Sequence, residues 1–109
     1  MAEIRTRAKG EVIEKVRRLL EVLRAEGLNT TAAYIYGSQV MGTSHRDSDI
    51  DVAIVSPDLS GDRLEDWCRL NRLATQIDVR MEVIGFRPDQ FRDEHPLAWE
   101  VQTKGVRLV

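Results

Sequence analysis

The sequence predicts a single α/β (α+β) domain, residues 1–109, in which helices pack on one face of a mixed sheet of three or four strands. Amphipathic helical patterns alternate with short apolar strand patterns in the order α-β-α-β-α-β-α-β, which is typical of this class. Hydrophobic residues make up 42% of the 109 residues, which suffices for one core and argues against disorder. No internal repeat or long linker divides the chain, so we expect one domain.

The first half of the chain contains one long helix pattern and two strand patterns. Apolar residues at steps of three and four predict a helix over Gly10–Glu26, and Gly27 stands where a glycine commonly ends a helix. Strand patterns cover Thr31–Tyr36 and Asp49–Val55. Between these strands we expect one or two helical turns that end near Gly42, followed by a polar loop.

The second half repeats this alternation. A helix is predicted over Arg63–Gln76, a strand over Val79–Gly85 and a short helical turn over Pro88–Phe91. A further helix is predicted over Pro96–Lys104, and a small edge strand over Val106–Val109. The residues assigned to the apolar side of the first of these helices are Leu64, Trp67, Cys68, Leu70, Leu73, Ala74 and Ile77.

A Gly-Ser turn followed by an Asp-x-Asp strand is the most informative feature of the sequence. Gly37-Ser38 follows the first predicted strand, and Asp49 and Asp51 open the second strand after a spacer of ten residues. Backbone N–H groups of such a turn, together with the Ser38 hydroxyl, can hold phosphates. Because residues two apart on a strand share a face, with Cα atoms roughly 7 Å apart, the two aspartates can reach one hard divalent cation.

Strand parity separates core residues from candidate metal ligands. The aliphatic residues of the Asp49–Val55 strand share the parity expected against the helices, whereas its two acids share the other. On the third strand, Asp78 and Glu82 have equal parity, and either could supply a third carboxylate. Asp78 could instead simply open the strand, Glu82 could be a solvated side chain, and Arg80 could contact a phosphate or pair with an acid.

The order of Gly-Ser, spacer and Asp-x-Asp resembles the hallmark of the nucleotidyltransferase superfamily of DNA polymerase beta. The short chain resembles the smallest branch of that superfamily, the minimal nucleotidyltransferases, over most of its length and most sharply over Ile35–Val55. The resemblance implies a polymerase-beta-like nucleotidyltransferase palm with its site on the open face of the sheet. It also implies a third acid within an apolar strand, a place that Glu82 matches although Asp is commoner there.

This resemblance implies a nucleotidyltransferase that uses ATP and Mg²⁺. The expected metal ligands and catalytic residues are Asp49, Asp51 and Glu82, in a site for two Mg²⁺ ions about 3.5–4 Å apart. Glu82 would complete the second metal site, beside the attacking hydroxyl. The residues expected to bind the nucleotide are Gly37, Ser38, Gly42, Thr43 and Ser48.

The resemblance further implies a protein partner. In this branch the usual partner is a small helical HEPN protein, often a toxin RNase, and the nucleotidyltransferase acts as its antitoxin by binding it and transferring AMP to a Tyr. We therefore expect a hetero-oligomer, or a homo-oligomer, with Phe91, Leu97 and Trp99 as candidate partner-surface residues. Two alternatives stay open: a nucleotide-binding antitoxin that acts by complex formation, and nucleotidyl transfer to a small-molecule hydroxyl.

The composition of the chain excludes several other classes of protein. The formal net charge is −2, from 16 basic and 18 acidic residues, whereas a dedicated nucleic-acid grip would show a basic surplus. The single Cys68 excludes an internal disulfide and a cysteine-rich zinc site. No apolar run approaches the ~20 residues of a membrane span and no signal-peptide pattern is present, so we expect a cytoplasmic protein without a membrane partner.

Overall fold

The computed structural model describes residues 10–37 and 49–109. The helices in these ranges are α1 (Gly10–Ala25), α2 (Arg63–Ala74) and α3 (Pro96–Lys104). The strands are β1 (Ala32–Tyr36), β2 (Ile50–Val55), β3 (Met81–Phe86) and β4 (Val106–Arg107). All these bounds lie within two residues of the predicted ones, whereas the helical turns predicted up to Gly42 lie outside the described residues.

The four strands form one mixed sheet in the order β3-β2-β1-β4. β1 pairs antiparallel with β2 and with β4, while β2 and β3 are parallel. A parallel pair needs a crossover connection, and α2 provides it between β2 and β3. The predicted mixed sheet is confirmed, and β3 forms one of its edges.

Polar side chains fix where α2 and α3 begin. Asp62 caps α2 because its carboxylate accepts a hydrogen bond from the Glu65 backbone N–H at 3.0 Å. His95 caps α3 because its Nδ1 accepts a hydrogen bond from the Leu97 backbone N–H at 3.2 Å. Pro96 occupies the first turn of α3, where a missing N–H costs nothing.

The main core lies between one face of the sheet and helices α1 and α2. The aliphatic residues of β2 point into it, as their parity predicted, and Ile50, Val52 and Ile54 have no exposed surface. Residues of α1 that pack there are Val12, Val16, Leu19 and Leu23. This core fixes the face on which the β2 acids must emerge.

Helices lie on both faces of the sheet, which corrects the prediction of one-sided packing. A second cluster of apolar residues forms where α3 packs on the opposite face through Ala98 and Val101. The residues of the sheet that line it are Ala32, Tyr34, Ala53, Val55 and Phe86. Phe91 and Leu97 pack against this cluster but are only partly buried, and Trp99 is 48% exposed, so the partner surface expected at these residues stays a prediction.

The orientation of α2 differs from the predicted one because two polar side chains are buried in place of two apolar ones. The Asp66 carboxylate accepts hydrogen bonds from Ser60 and Gly61 backbone N–H groups, both at 2.9 Å. Asn71 is also buried, against β3. Trp67 and Cys68, predicted to be in the core, are therefore exposed.

β3 starts at Met81, two residues later than predicted, because Asp78 forms a turn before it. The Asp78 side chain accepts a hydrogen bond from the Arg80 backbone N–H at 2.8 Å, and its carbonyl accepts one from the Met81 N–H at 3.0 Å. Val79, predicted to begin the buried parity of the strand, lies in this turn and is 84% exposed.

Within residues 10–37 and 49–109, the helices are all too short or too polar to cross a lipid bilayer.

Candidate active site

Three strands bring a tyrosine and two carboxylates into one row across the sheet. In the sheet register, Tyr36 on β1 is the direct partner of Asp51 on β2, and Asp51 is the direct partner of Glu82 on β3. Direct partners on adjacent strands project from the same face, and the strands lie about 4.8 Å apart. Asp49 precedes β2 and shares the parity of Asp51, so the three predicted acids meet on one face.

Gly37 makes room for the Asp51 carboxylate. It follows β1 with a φ of +76°, in the left-handed region that favours glycine. A Cβ added to Gly37 would overlap Asp51 Oδ2 and would lie 3.3 Å from Asp51 Cγ. The glycine of the Gly-Ser pair is therefore required for the position of a catalytic candidate on the neighbouring strand, as well as for the turn.

The acids of the site repel one another. The pKa of Asp51 is raised above its ordinary value of 3.8, first by burial and then by the negative charges of Glu82 and Asp49. Each of these causes disfavours the ionised carboxylate. A divalent cation would instead favour the ionised carboxylate of Asp51, because its charge is opposite to that of all three acids.

Tyr36 belongs to the same cluster, and the sequence analysis did not identify it. Burial raises the pKa of its hydroxyl to about 12, with further contributions from Asp51, Glu82 and Glu100. The phenol is therefore protonated at neutral pH and can donate a hydrogen bond into the site. Finding it required the register between β1 and β2, which no pattern in the sequence specifies.

Asp78 lies in a different environment from the three clustered acids. Lys15 Nζ lies 2.6 Å from its Oδ2 and Arg80 Nη2 lies 2.9 Å from the same atom. These cations hold the pKa of Asp78 well below its ordinary value, with the Arg80 hydrogen bond as the largest cause. The structure thus places Asp78 in an ion-pair network that joins α1 to the start of β3, and Glu82 beside Asp51.

Asn71 on α2 holds the edge strand beside Glu82. Its side-chain amide donates a hydrogen bond to the Val83 carbonyl and accepts one from the Val83 N–H, both at 2.8 Å. The amide therefore takes the place of a neighbouring strand at the residue that follows Glu82. A helical Asn within an apolar pattern was a signal that the sequence analysis did not use.

The donor set suits a hard cation, because Asp49, Asp51 and Glu82 would offer it only carboxylate oxygens. The described side chains do not form a ready-made group of three metal ligands. Binding would thus require the carboxylates to turn towards one point. Their mutual repulsion explains why they do not converge in the absence of a cation. Mg²⁺ commonly takes one or two carboxylates and completes its shell with substrate phosphates and water.

Four predicted nucleotide-binding residues lie outside the described residues: Ser38, Gly42, Thr43 and Ser48. Of the predicted nucleotide-binding set, Gly37 is described, and it lies at the end of β1 next to the Asp51 carboxylate.

Comparison with known proteins agrees with this geometry. Residues 17–109 match the family described as Polymerase beta, Nucleotidyltransferase. The protein adenylyltransferase MntA of Shewanella oneidensis is 30% identical over 91 residues, which are 84% of this chain and 62% of that protein. The chain therefore spans somewhat less than two thirds of the length of this curated relative.

Two solved structures share the fold. The toxin–antitoxin complex MntA–HpeT contains a chain with a TM-score of 0.59 and 26% identity, matched over 89% of this chain and 72% of that one. That complex contains two Asp-to-Glu substitutions two positions apart, the same separation as Asp49 and Asp51. A protein assigned as a nucleotidyltransferase of Sulfolobus solfataricus has a TM-score of 0.61 at 15% identity, over 98% of this chain and 86% of its own.

Proposed function

Because the chain belongs to the polymerase beta nucleotidyltransferase family, we propose that it transfers AMP from ATP to a hydroxyl of a partner protein. The observation that carries the proposal is the row in which the Asp51 carboxylate, beside Gly37, faces Glu82 in direct register. The minimal nucleotidyltransferase branch, predicted from the motif, agrees with the likeness to MntA.

Asp49, Asp51 and Glu82 would hold Mg²⁺, in one or two ions, at this row. When bound, the ions neutralise charge on the phosphates and favour deprotonation of the attacking hydroxyl. Asp51 lies between the two halves of the site, because Gly37 is on its β1 side and Glu82 is on its β3 side. The Gly37 turn is next to the proposed phosphate-binding Ser38, so the nucleotide would lie on the β1 side and the acceptor on the β3 side.

The transfer step is then a substitution at the α-phosphorus of ATP. The acceptor oxygen forms a bond to that phosphorus, the bond to the β-phosphate oxygen breaks, and pyrophosphate leaves. The hydroxyl proton passes to Glu82 or to solvent. The carboxylates contribute through position and charge, which is the main source of catalysis in phosphoryl-transfer sites.

The acceptor is proposed to be a Tyr of a small helical HEPN-type toxin, which would make this chain an antitoxin that acts in a complex. MntA is named a protein adenylyltransferase and its structural counterpart forms a toxin–antitoxin complex, which supports this choice. The alternatives are an antitoxin that binds the nucleotide and acts by complex formation, and AMP transfer to a small-molecule hydroxyl.

Mass spectrometry tests the proposal directly. The partner is sought in the product of the gene that lies next to this one. That product is incubated with this protein, ATP and Mg²⁺, and we expect its mass to rise by one or more AMP units. Asp51→Asn and a chelator of divalent metals serve as controls, and each should abolish the increase. A complex without a mass increase would favour the non-catalytic antitoxin, and AMP on a small-molecule hydroxyl alone would remove the protein acceptor.

A further inference from the structure

An apolar groove lies at the outer edge of the sheet, between β3 and α2. Its lining residues are Arg63, Leu64, Trp67, Ile84 and Gly85, and it encloses about 320 Å³. We call it the Trp67 groove. Leu64 is 70% exposed and Trp67 is 44% exposed, so two large apolar side chains of one helix face solvent there. Exposed apolar surface at a concave site is typical of binding surfaces.

Buried hydrogen bonds of two polar side chains, Asp66 and Asn71, fix the rotation of α2 about its own axis. Asp66 accepts hydrogen bonds from the Ser60–Gly61 backbone, and Asn71 bonds both backbone groups of Val83. Rotating α2 to bury Trp67 would break these bonds and leave buried polar groups without partners, which is costly. The exposure is therefore built into the packing of the helix.

The groove lies close to the candidate active site along β3. Ile84, in its wall, lies two residues along β3 from Glu82, on the same face of the sheet, with a Cα separation of roughly 7 Å. β3 is also the edge strand on the side of the site assigned to the acceptor. A protein seated in the groove could therefore place a hydroxyl beside Glu82 without crossing the nucleotide.

We propose that the Trp67 groove is the docking site of the protein that accepts AMP. This inference rests on the proposed function for the nature of its occupant. The groove would take an apolar side chain between Trp67 and Ile84, and a neighbouring carboxylate would meet Arg63, the charged residue among the described residues of its lining. Arg63 Nη1 already contacts His95 Nε2 at 2.9 Å, so the carboxylate would bind the other N–H groups of the guanidinium. The occupant is thus an acceptor segment with an apolar residue next to an acidic one.

The test measures binding of the purified product of the neighbouring gene by calorimetry, with wild-type protein and three variants. Trp67→Ser should raise the dissociation constant at least about thirtyfold, as expected for a Trp buried in an interface, and Leu64→Ser should raise it about tenfold. Val79→Ser is the control, since Val79 is an exposed apolar residue, 84% exposed, that lies outside the groove. It should change binding less than about threefold. Thermal unfolding of each variant shows whether the fold is intact.

Cys68 provides a second readout that needs no substitution. It is the single cysteine of the sequence, is exposed, and follows Trp67 on α2. Bound acceptor protein should slow its alkylation, whereas unprotected Cys68 in a saturated complex would contradict the proposal.

Each other outcome of the binding test also decides the proposal. Unchanged binding by Trp67→Ser, or equal weakening by Val79→Ser, would overturn it, as would a wild-type protein that does not bind the product of the neighbouring gene. A homodimer in light scattering that Trp67→Ser dissociates would assign the groove to a second copy instead. A complex weakened by Trp67→Ser that gains no AMP would retain the docking site and refute the proposed transfer.

Discussion

Glu82 and Asp78 have equal strand parity, and substituting each should separate chemistry from stability. Glu82→Gln removes a proposed metal ligand from an exposed position next to Asp51. We expect AMP transfer to fall at least about a hundredfold, since even indirect supports of a metal site commonly contribute 10–100-fold. The free energy of unfolding should change by less than about 0.5 kcal/mol, as for most surface substitutions.

Asp78→Asn should have the opposite profile. It removes the charge from contacts of 2.6 Å with Lys15 and 2.9 Å with Arg80, while the Asp78 side chain is only 9% exposed. Charge-assisted hydrogen bonds contribute about 1.5–3 kcal/mol, and the two cations are partly solvated, so we expect a loss of about 2 kcal/mol. For a domain of this size, that lowers the melting temperature by about 8 °C.

The stabilisation by Asp78 should depend on pH in a defined direction. Because the pKa of Asp78 is lowered in the folded state, its stabilising contribution is present above its ordinary value of 3.8 and is lost on acidification. The melting temperatures of wild type and Asp78→Asn should therefore converge at low pH. The assays are thermal unfolding across pH and AMP transfer at a temperature where both variants are folded. A Glu82→Gln enzyme with normal activity, or an inactive but stable Asp78→Asn enzyme, would refute the assignment of the third acid.

Two further substitutions test the Asp51 environment. Asp51→Asn should abolish transfer and raise the melting temperature by a few degrees at neutral pH without metal, because the raised pKa of Asp51 makes its ionised form destabilising. This gain should shrink as the pH falls towards 3.8 and Asp51 becomes protonated, and a lower melting temperature at pH 7 would contradict it. Gly37→Ala should cost about 1–2 kcal/mol in chemical denaturation from its positive φ, and should displace the Asp51 carboxylate. Calorimetry should then show no Mg²⁺-dependent ATP binding, and unchanged binding would mean that Asp51 does not need this space.

The order of elements could be predicted from the sequence because helix and strand patterns are local. The bounds of α3 match those predicted, since Pro96 and Gly105 mark both ends. The parity of β2 was also sufficient to place Asp51 opposite the aliphatic core. The choice between Asp78 and Glu82 was not local, because it depends on the register of Glu82 with Asp51 and on the contact of Asp78 with Lys15, 63 residues away in the sequence.

The errors in the sequence analysis have a common physical cause. An apolar side chain in a helical pattern was assigned to the core, although a buried polar residue with several hydrogen bonds can occupy the core-facing position. Asp66 and Asn71 do so in α2, and Trp67 is exposed as a result. The second face of the sheet was expected to be open because no pattern indicates on which side α3 returns.

The distribution of charge along β3 links the fold to the proposed chemistry. Asp78 lies before the strand, and two cations within 3 Å stabilise its ionised carboxylate. Glu82, four residues later, lies beside Asp51, and its negative charge disfavours the ionised form of Asp51. The cost of that repulsion must be offset by the core packing of β2 and by the Asn71 contacts at Val83. Binding of a cation would relieve this repulsion, and Mg²⁺ with ATP would therefore stabilise the fold through the same carboxylates that we propose for the transfer.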